Sequence, residues 1–264
     1  MKETKLKDKW ALVTGASSGF VADFARELVS FGCHLILVAR RKERLEYLKD
    51  EICSQFVVST KTISIDLSKT EAPQQLYDQI KAEGISVDIL INNAGFGIYG
   101  EFNKVDWPRQ CEMLQLNILA VTHLTKLFVS DMVARDFGYI LNVASNSAYQ
   151  PSPLFATYGA SKSFVLNFSE ALNYELRHTN VHCTAVSPGP VVTEFQQVAG
   201  QSETHPYVRM NKIESAKVAR IGIKAMLKER SSIVPGWKVN LAAWVSQRAP
   251  RSWVIAIAGW LMSL

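Results

Sequence analysis

WALVTGASSGFV, residues 10–21, is the stretch that decides the fold of this 264-residue chain. Its first four residues are apolar and lead into a turn with Gly15 and Gly19, and an apolar helical pattern follows through Phe24 and Leu28. A glycine-rich turn between a strand and a helix lets backbone amides approach a pyrophosphate, whose charge the helix N-terminus favours. We therefore predict a dinucleotide-binding turn, although an ordinary tight turn would look the same in isolation.

Short apolar, β-branched runs alternate with longer amphipathic segments along the rest of the chain. The predicted strands cover residues 10–13, 35–38, 62–65, 89–91, 140–143 and 183–186. This alternation is typical of βαβ units, whose crossovers are right-handed and whose ligands lie beyond the carboxyl ends of the strands. We expect an α/β fold with a doubly wound, Rossmann-type parallel sheet and helices on both faces.

The length and composition predict one domain. With 48% hydrophobic residues the chain can bury one sizeable core, and no polar linker divides residues 1–264. Residues 193–212 are the least regular part and predict a substrate loop, because long loops in compact domains are commonly functional. Residues 237–264 predict an apolar C-terminal extension of this dinucleotide-binding and catalytic domain.

The charge pattern disfavours several classes of function. The formal net charge is +5, but basic and acidic residues are interspersed without an aromatic-rich basic patch, so we expect no nucleic-acid binding. The five histidines suggest no metal site, and the four separated cysteines are expected to be reduced thiols. The charged residues 1–9 lead directly into the first strand, so we expect no signal peptide and a cytoplasmic protein.

Tyr158 and Lys162, in the run YGASK, give the clearest chemical signal. Four-residue spacing on a helix places both side chains on one face. A phenol titrates near pH ~10 in water, and a nearby ammonium favours the phenolate, so we predict that Lys162 lowers the pKa of Tyr158 toward neutrality. Tyr158 is the candidate proton donor to a carbonyl, although any two residues four apart share a helix face.

Together these features resemble the single-domain branch of the short-chain dehydrogenase/reductase family. The glycine turn matches the family fingerprint Thr-Gly-x-x-x-Gly-x-Gly except at Val21, where the family has its third glycine. Valine adds bulk where the helix packs against the strand and the cofactor. Either the helix shifts slightly to tolerate it, or the cofactor site is weakened or lost.

Further matches follow in the order found in the family. NNAG, residues 92–95, resembles the segment that supports the sheet and lines the adenosine half of the cofactor. Asn117 matches a helix asparagine that holds an ordered water, and Ser145 lies thirteen residues before Tyr158, the usual family spacing. PGPVVT, residues 188–193, resembles the segment at the nicotinamide end. Considered singly, the asparagine could be a capping or surface amide and the serine a turn hydroxyl.

The resemblance implies hydride transfer by a tetrad of Asn117, Ser145, Tyr158 and Lys162. Ser145 would hydrogen-bond the substrate oxygen while Tyr158 protonates it. Lys162 would bind the nicotinamide ribose and support the phenolate, and Asn117 would tether a water that resupplies the proton. The predicted cofactor contacts are Gly15, Ser17, Ser18, Gly19, Phe20, Arg40, Arg41, Asp66, Leu67, Asn93, Ala94, Gly95, Tyr158, Lys162, Pro188, Gly189, Val191 and Thr193.

The end of the second predicted strand bears on the choice of cofactor. A site specific for NAD places an acid about 20 residues beyond the glycine turn, whereas this chain has Arg40 and Arg41 there. Two guanidinium groups can bind a phosphate and no acid repels it, so we predict NADP(H) in preference to NAD(H). Ser17 could also contact that phosphate. The alternative is that both arginines merely begin a solvated helix.

The C-terminal extension contains Trp237, Trp244, Trp253 and Trp260 beside basic residues. Its last apolar run of twelve residues is too short to span a bilayer, which needs about 20. We favour packing against the core or another subunit, in a homodimer or homotetramer. Peripheral contact with a membrane, and so membrane association, is the alternative.

Aromatic residues near the predicted mouth of the site favour a hydrophobic substrate, although such residues also fill cores. They are Phe96, Tyr99, Phe102, Tyr149, Phe155, Phe195 and Tyr207. The predicted function is NADPH-dependent reduction of a hydrophobic ketone or aldehyde, with Tyr158 as general acid. The alternatives are a weak or inactive NADP-binding or scaffolding protein, supported only by Val21, and a sugar-nucleotide epimerase, which the chain length disfavours.

Overall fold

Parallel strands form the centre of the fold. The computed structural model describes residues 3–16, 19–191, 193–202 and 205–263, and in this part of the chain seven strands make one sheet of order β3-β2-β1-β4-β5-β6-β7. The strands are β1 (Trp10–Thr14), β2 (His34–Ala39), β3 (Thr60–Ser64), β4 (Val87–Asn92), β5 (Gly138–Val143), β6 (Val181–Val186) and β7 (Ser232–Ile233). The six predicted strands are confirmed with ends shifted by up to two residues. The two-residue β7 is too short to give a sequence pattern.

Helices connect the strands and cover both faces of the sheet. They are α1 (Gly19–Ser30), α2 (Lys42–Gln55), α3 (Ala72–Ala82), α4 (Trp107–Leu114), α5 (Val121–Ala134), α6 (Ala156–Glu175), α7 (Phe195–Ala199), α8 (Pro206–Asn211), α9 (Ser215–Leu227), α10 (Trp237–Ser246) and α11 (Arg251–Met262). A π-helical segment, Gln115–Ala120, joins α4 to α5 without a break.

Alternating side chains of the strands build two cores. Val13 on β1 packs in a cluster with Phe24 of α1 and Ile223 of α9, whereas the preceding Leu12 packs on the other face with Phe128 of α5. Successive residues of a strand point to opposite faces, so apolar residues at every position of a strand require helices on both sides. The doubly wound α/β fold is therefore confirmed.

The order of the strands creates a crevice between β1 and β4. These strands are neighbours, but α1 follows β1 on one face and α4 follows β4 on the other. The two chain segments therefore diverge at the carboxyl ends of β1 and β4, and a ligand can enter between them. This reversal of direction fixes where the site lies.

The continuous helix Trp107–Ala134 is, by length and composition, the one described helix that could cross a membrane. Half of its most apolar window is buried inside the protein. Leu124, Phe128 and Met132 pack into the core beneath the sheet. These are the contacts of a core helix.

The two irregular or apolar segments predicted from the sequence both contain helices. The predicted loop 193–212 folds into α7 and α8, and the predicted extension 237–264 into α10 and α11. The expectation of an irregular loop was therefore wrong in part. Six-residue and shorter helices give little periodicity from which to predict them.

Candidate active site

A cleft of about 370 Å³ lies at the carboxyl ends of the strands, within the range of about 300–1,000 Å³ typical of small-molecule sites. Most of the predicted cofactor contacts line it: Gly15, Phe20, Arg40, Arg41, Asp66, Leu67, Asn93, Ala94, Gly95, Tyr158, Lys162, Pro188, Gly189, Val191 and Thr193. Gly19 begins α1, and its surroundings lie outside the described part of the chain. Ser17, Ser18 and the side chain of Val21 lie outside the described residues. One cleft thus runs from the glycine turn to the tyrosine.

The glycine turn is held against the end of β4. Gly15 has φ +79°, and a Cβ added there would lie 2.9 Å from Ala94 Cα, so only glycine fits. The buried Thr14 hydroxyl accepts hydrogen bonds from the amides of Asn93 and Ala94, both at 3.1 Å, and donates to Ile91 O at 3.2 Å. Thr14 therefore fastens the two strand ends on which the cleft is built. Its buried hydroxyl was not predicted to have this role.

Asn117 lies in the π-helical segment, fully buried behind the cleft. Its Oδ1 accepts from Phe96 N at 3.2 Å, and its Nδ2 donates to Phe96 O at 3.0 Å and to Ser161 Oγ at 3.1 Å. A Cβ on Gly95 would lie 2.7 Å from Asn117 Oδ1, so the approach requires glycine. The Asn117 side chain therefore positions the chain after β4. π-helical segments interrupt the regular ladder of a helix and are frequent at functional sites.

Tyr158 and Lys162 lie on the first turns of α6, both buried at the wall of the cleft. The Tyr158 phenol is hydrogen-bonded to the side chain of Ser145. Ser145 follows β5, and its hydroxyl also accepts a hydrogen bond of 3.2 Å from Ser147 N. Lys162 Nζ donates to Val143 O at 2.8 Å. Three members of the predicted tetrad thus meet in the cleft, and Asn117 lies one layer behind them.

Burial moves the pKa values of Tyr158 and Lys162 in opposite directions. Desolvation raises the pKa of Tyr158 to about 12, against a smaller lowering by the hydrogen bond with Ser145. Desolvation also lowers the pKa of Lys162 to about 8. The prediction that Lys162 brings the pKa of Tyr158 toward neutrality was wrong, because burial dominates and Nζ lies 5.9 Å from the ring centroid. The tyrosine is a neutral phenol, the form that donates a proton.

Both arginines at the end of β2 are paired with carboxylates from distant parts of the chain. Arg40 lies 3.1 Å from Glu112 of α4, and Arg41 lies 3.1 Å from Glu194. Arg44 lies 2.6 Å from the same Glu194, and Arg44 and Arg41 lower the pKa of that carboxyl. The sequence has no acid at the end of β2, where a site specific for NAD has one. The fold nevertheless brings Glu112 to Arg40 and Glu194 to Arg41. These contacts could not be predicted from local sequence.

Aromatic rings surround the phenol at the opposite end of the cleft. Phe155 and Phe195 lie 5.6 and 5.3 Å from Tyr158 between ring centroids, and both line the cleft together with Phe96. Among the other predicted aromatic residues, Tyr99 and Tyr149 lie outside the lining and Phe102 is 64% exposed. The side chain of Tyr207 lies outside the described residues.

The sequence analysis missed several lining residues, among them Gln196, Val208, Ala258 and Met262 at this end. Gln196 is 3% exposed, and its Oε1 has no hydrogen-bond partner among the described residues. A buried amide oxygen without a partner at a cleft wall can accept a hydrogen bond from a donor group of a ligand. Ala258 and Met262 come from α11, which brings the C-terminal extension into the site.

The histidines and cysteines bear on the question of a metal site. His178 and His182 are four residues apart, but His178 follows α6 and His182 lies in β6. In the described chain no group of three or more His, Cys, Asp or Glu side chains could hold a metal ion. Cys33 and Cys183 are buried and Cys53 and Cys111 exposed, all as free thiols.

Comparisons with known proteins agree with the fold. Residues 9–204 match the family described as short chain dehydrogenase. The chain is 32% identical over 246 residues to a very-long-chain 3-oxoacyl-CoA reductase of Anas platyrhynchos, covering 88% of this chain and 75% of that protein.

Two solved structures extend the comparison. A short-chain dehydrogenase from Sphingobium yanoikuyae in complex with NADPH superposes with a TM-score of 0.82 at 28% identity, covering 94% of this chain and 95% of that one. A short chain dehydrogenase/reductase from Burkholderia phymatum in complex with NAD gives 0.81 at 25% identity, covering 91% and 93%.

The chain belongs to the short-chain dehydrogenase family. It is an NAD(P)-dependent oxidoreductase, and the predicted family resemblance is confirmed. The residues present fit such a cofactor: a glycine turn before a helix N-terminus, two arginines beyond β2, and a lysine beside the tyrosine, all along one cleft.

Proposed function

We propose that the protein reduces a hydrophobic ketone or aldehyde to an alcohol with NADPH, and that Tyr158 is the general acid. The observation that carries the proposal is the hydrogen-bonded pair of the Tyr158 and Ser145 hydroxyls at the wall of the cleft. Because burial raises the pKa of Tyr158 to about 12, the phenol keeps its proton at neutral pH. A protonated phenol favours the reducing direction, in which the substrate oxygen must gain a proton.

The proposed mechanism uses the side chains around this pair. A bound nicotinamide supplies the hydride. Ser145 and Tyr158 both donate hydrogen bonds to the substrate oxygen, where negative charge develops, and Tyr158 then transfers its proton. Lys162 stabilises the resulting phenolate when it is positively charged. Both polar atoms of the Asn117 side chain are already hydrogen-bonded, so we assign its proposed water tether to the backbone carbonyl.

The preference for NADP over NAD is supported by Arg40 and Arg41, which line the adenosine end of the cleft. Planar guanidinium groups bind phosphate in a bidentate manner. The relative in complex with NADPH supports this choice, while the one in complex with NAD means that family membership alone does not decide it. The pairing of Arg41 with Glu194 implies that an added phosphate competes with a carboxylate for this arginine.

The substrate class follows from the apolar end of the cleft and from the relatives. This end is hydrophobic because it is lined by Phe96, Phe155, Phe195 and Met262. The buried Gln196 Oε1 offers one hydrogen-bond acceptor there. A 3-oxoacyl thioester has a ketone that can accept the proton of Tyr158 and an apolar chain that matches the hydrophobic end of the cleft. Relatives named very-long-chain 3-oxoacyl-CoA reductase support placing such thioesters first among the candidates.

The experiment follows NADPH absorbance with a panel of apolar ketones and 3-oxoacyl thioesters. Tyr158→Phe keeps the ring but removes the proton, so kcat/KM should fall by about 10²- to 10⁴-fold while the Kd for NADP⁺ changes little. Tyr47→Phe is the matched control, because Tyr47 is 74% exposed on α2 and does not line the cleft.

Three outcomes would contradict parts of the proposal. A Tyr158→Phe variant that retained most of the rate would exclude tyrosine as the acid. Equal turnover with NADH would refute the cofactor preference. Tight NADPH binding without oxidation over the whole panel would support the inactive alternative.

A further inference from the structure

The helix α11 is apolar on the face that it turns away from the protein. Val254, Ala258 and Met262 form its buried stripe. Trp253 and Trp260, on the opposite side, are 68% and 62% exposed. A surface helix normally carries polar residues on its outer face, and a helix that is apolar all round is normally buried. The exposed face of α11 has apolar residues where polar ones are expected.

The preceding helix α10 repeats the same arrangement. Val239 and Ala243 are buried. Trp237, Leu241 and Trp244 are 74%, 54% and 54% exposed, and their spacing of four and three residues places them on one side of the helix. We call the exposed set on both helices the tryptophan face: Trp237, Leu241, Trp244, Trp253, Ile257 and Trp260.

The charged side chains within the segment that carries the tryptophan face all have one sign. Residues 237–264 contain no Asp or Glu and three cations, Lys238, Arg248 and Arg251, which are exposed. The Arg248 guanidinium lies 4.2 Å from the Trp244 ring centroid, and Lys238 Nζ lies 5.8 Å from that of Trp237. Cations stacked beside tryptophan combine an apolar body with a positive tip, as at membrane interfaces.

We propose that the tryptophan face docks on the surface of an anionic lipid bilayer. Charge complementarity favours lipid over a second copy of this chain. A twofold dimer would bring the same patch from both copies together and place three cations against three, without a carboxylate in the segment to pair with them. Anionic headgroups supply the missing negative charge.

The docked helices lie in the interface rather than across the bilayer. The twelve residues of α11 extend only about 18 Å, whereas the hydrocarbon core is about 30 Å thick. An interfacial helix buries one apolar face among the headgroups and acyl chains, which suits the exposed tryptophans. This differs from the core or subunit packing that the sequence favoured.

Docking places the cleft next to the lipid. Ala258 and Met262 line the cleft from the buried side of α11, and Tyr99 Oη donates to Met262 O at 2.7 Å. The same helix is therefore a wall of the cleft and the membrane-facing surface. Direct entry of an apolar substrate from the bilayer rests on the proposed reductase function, but docking itself does not.

Vesicle flotation with the full chain tests the proposal. One set of vesicles contains phosphatidylcholine alone, and the other also contains phosphatidylglycerol. We expect at least about tenfold more protein on the anionic vesicles, with most of the binding lost in 1 M salt because exposed charges are screened. The double variant Trp253→Ser with Trp260→Ser should lose binding, and Lys238→Gln with Arg248→Gln and Arg251→Gln should weaken it.

Trp107→Ser is the matched control, because Trp107 is also 62% exposed but lies on α4. It should bind vesicles as the unchanged protein does. Circular dichroism and thermal melting check that each variant is folded. The double tryptophan variant should reduce a short, water-soluble ketone at the normal rate, since neither residue lines the cleft. Loss of docking is thereby distinguished from failure of the proposed reaction.

Two results would overturn the assignment. One is absence of vesicle binding, or equal binding to neutral and anionic vesicles. The other is a solution dimer in sedimentation equilibrium that becomes monomeric in the double tryptophan variant, which would assign the tryptophan face to a second copy.

Discussion

At the candidate active site, Tyr158 and Lys162 show how burial sets protonation. Both are almost completely removed from solvent on one face of α6, where the uncharged form of each is favoured. The pKa of Tyr158 therefore rises to about 12 and that of Lys162 falls to about 8. The tyrosine stays protonated at physiological pH, whereas the lysine is close to losing its charge.

The lowered pKa of Lys162 predicts that ketone reduction becomes slower above about pH 8. Below pH 8 Lys162 is positively charged and can stabilise the phenolate, and this contribution is lost as the pH rises through its pKa of about 8. The kcat/KM for ketone reduction should then fall about tenfold per pH unit, without a contribution from Tyr158 until about pH 12. The profile is measured between pH 6 and 10. A flat profile up to pH 10 would contradict the role of Lys162.

Glu194 is predicted to weaken NADP binding. It holds Arg41 at 3.1 Å, and both side chains are partly exposed, so the ion pair contributes at most about 1 kcal/mol. Glu194→Gln should release Arg41 and lower the Kd for NADP⁺ by up to about fivefold, while the Kd for NAD⁺ stays the same. Isothermal titration calorimetry measures both constants.

Glu101→Gln is the control for this experiment, since Glu101 pairs with Lys104 away from the cleft. An unchanged or weaker affinity for NADP⁺ in Glu194→Gln would show that Arg41 does not meet the phosphate.

At the scale of elements, α7 brings three parts of the molecule together over the cleft. Its first residue, Phe195, packs on Tyr158, and Gln196 lines the cleft. The carbonyl of its last residue, Ala199, accepts a 2.8 Å hydrogen bond from Tyr99 N. Together with Val208 of α8, this five-residue helix therefore forms part of the apolar end of the cleft.

Phe195→Ala is predicted to impair apolar substrates selectively. Removing the ring takes away apolar contact area next to Tyr158, so kcat/KM for a long-chain ketone should fall by about tenfold or more. A small ketone has little apolar surface to lay against the ring and should lose much less. Steady-state kinetics with both ketones measures the ratio.

The control for Phe195→Ala is Gln197→Ala, an exposed position on the same helix that does not line the cleft. Equal losses for the long and small ketones would indicate that Phe195 supports the site as a whole rather than binding the substrate chain.

At the scale of the whole molecule, one sheet with two cores places every part of the cleft. The strand ends β1 and β4 position the cofactor turn, and β5 and α6 position the Ser145 and Tyr158 hydroxyls. The C-terminal helix α11 closes one side of the cleft, and α10 and α11 present the tryptophan face outward. A homodimer or homotetramer and a cytoplasmic location remain predictions.

The α/β fold could be predicted from local patterns, because every strand of the sheet except the two-residue β7 carries apolar residues that signal it. It also identified the glycine turn, Ser145, Tyr158 and Lys162, since these lie in motifs whose spacing is local. Such signals can be read from the sequence because the repeats of strands and helices involve residues that are close together in the chain.

The remaining features of the site depend on contacts that form when the chain folds. Arg41 meets Glu194 across 153 positions of the chain, and Met262 reaches the cleft from the C-terminal helix. The pKa values of Tyr158 and Lys162 depend on how completely the folded protein excludes water. The tryptophan face likewise became visible only when packing left those side chains exposed. Long-range contact and desolvation are properties of the assembled fold, so no local pattern records them.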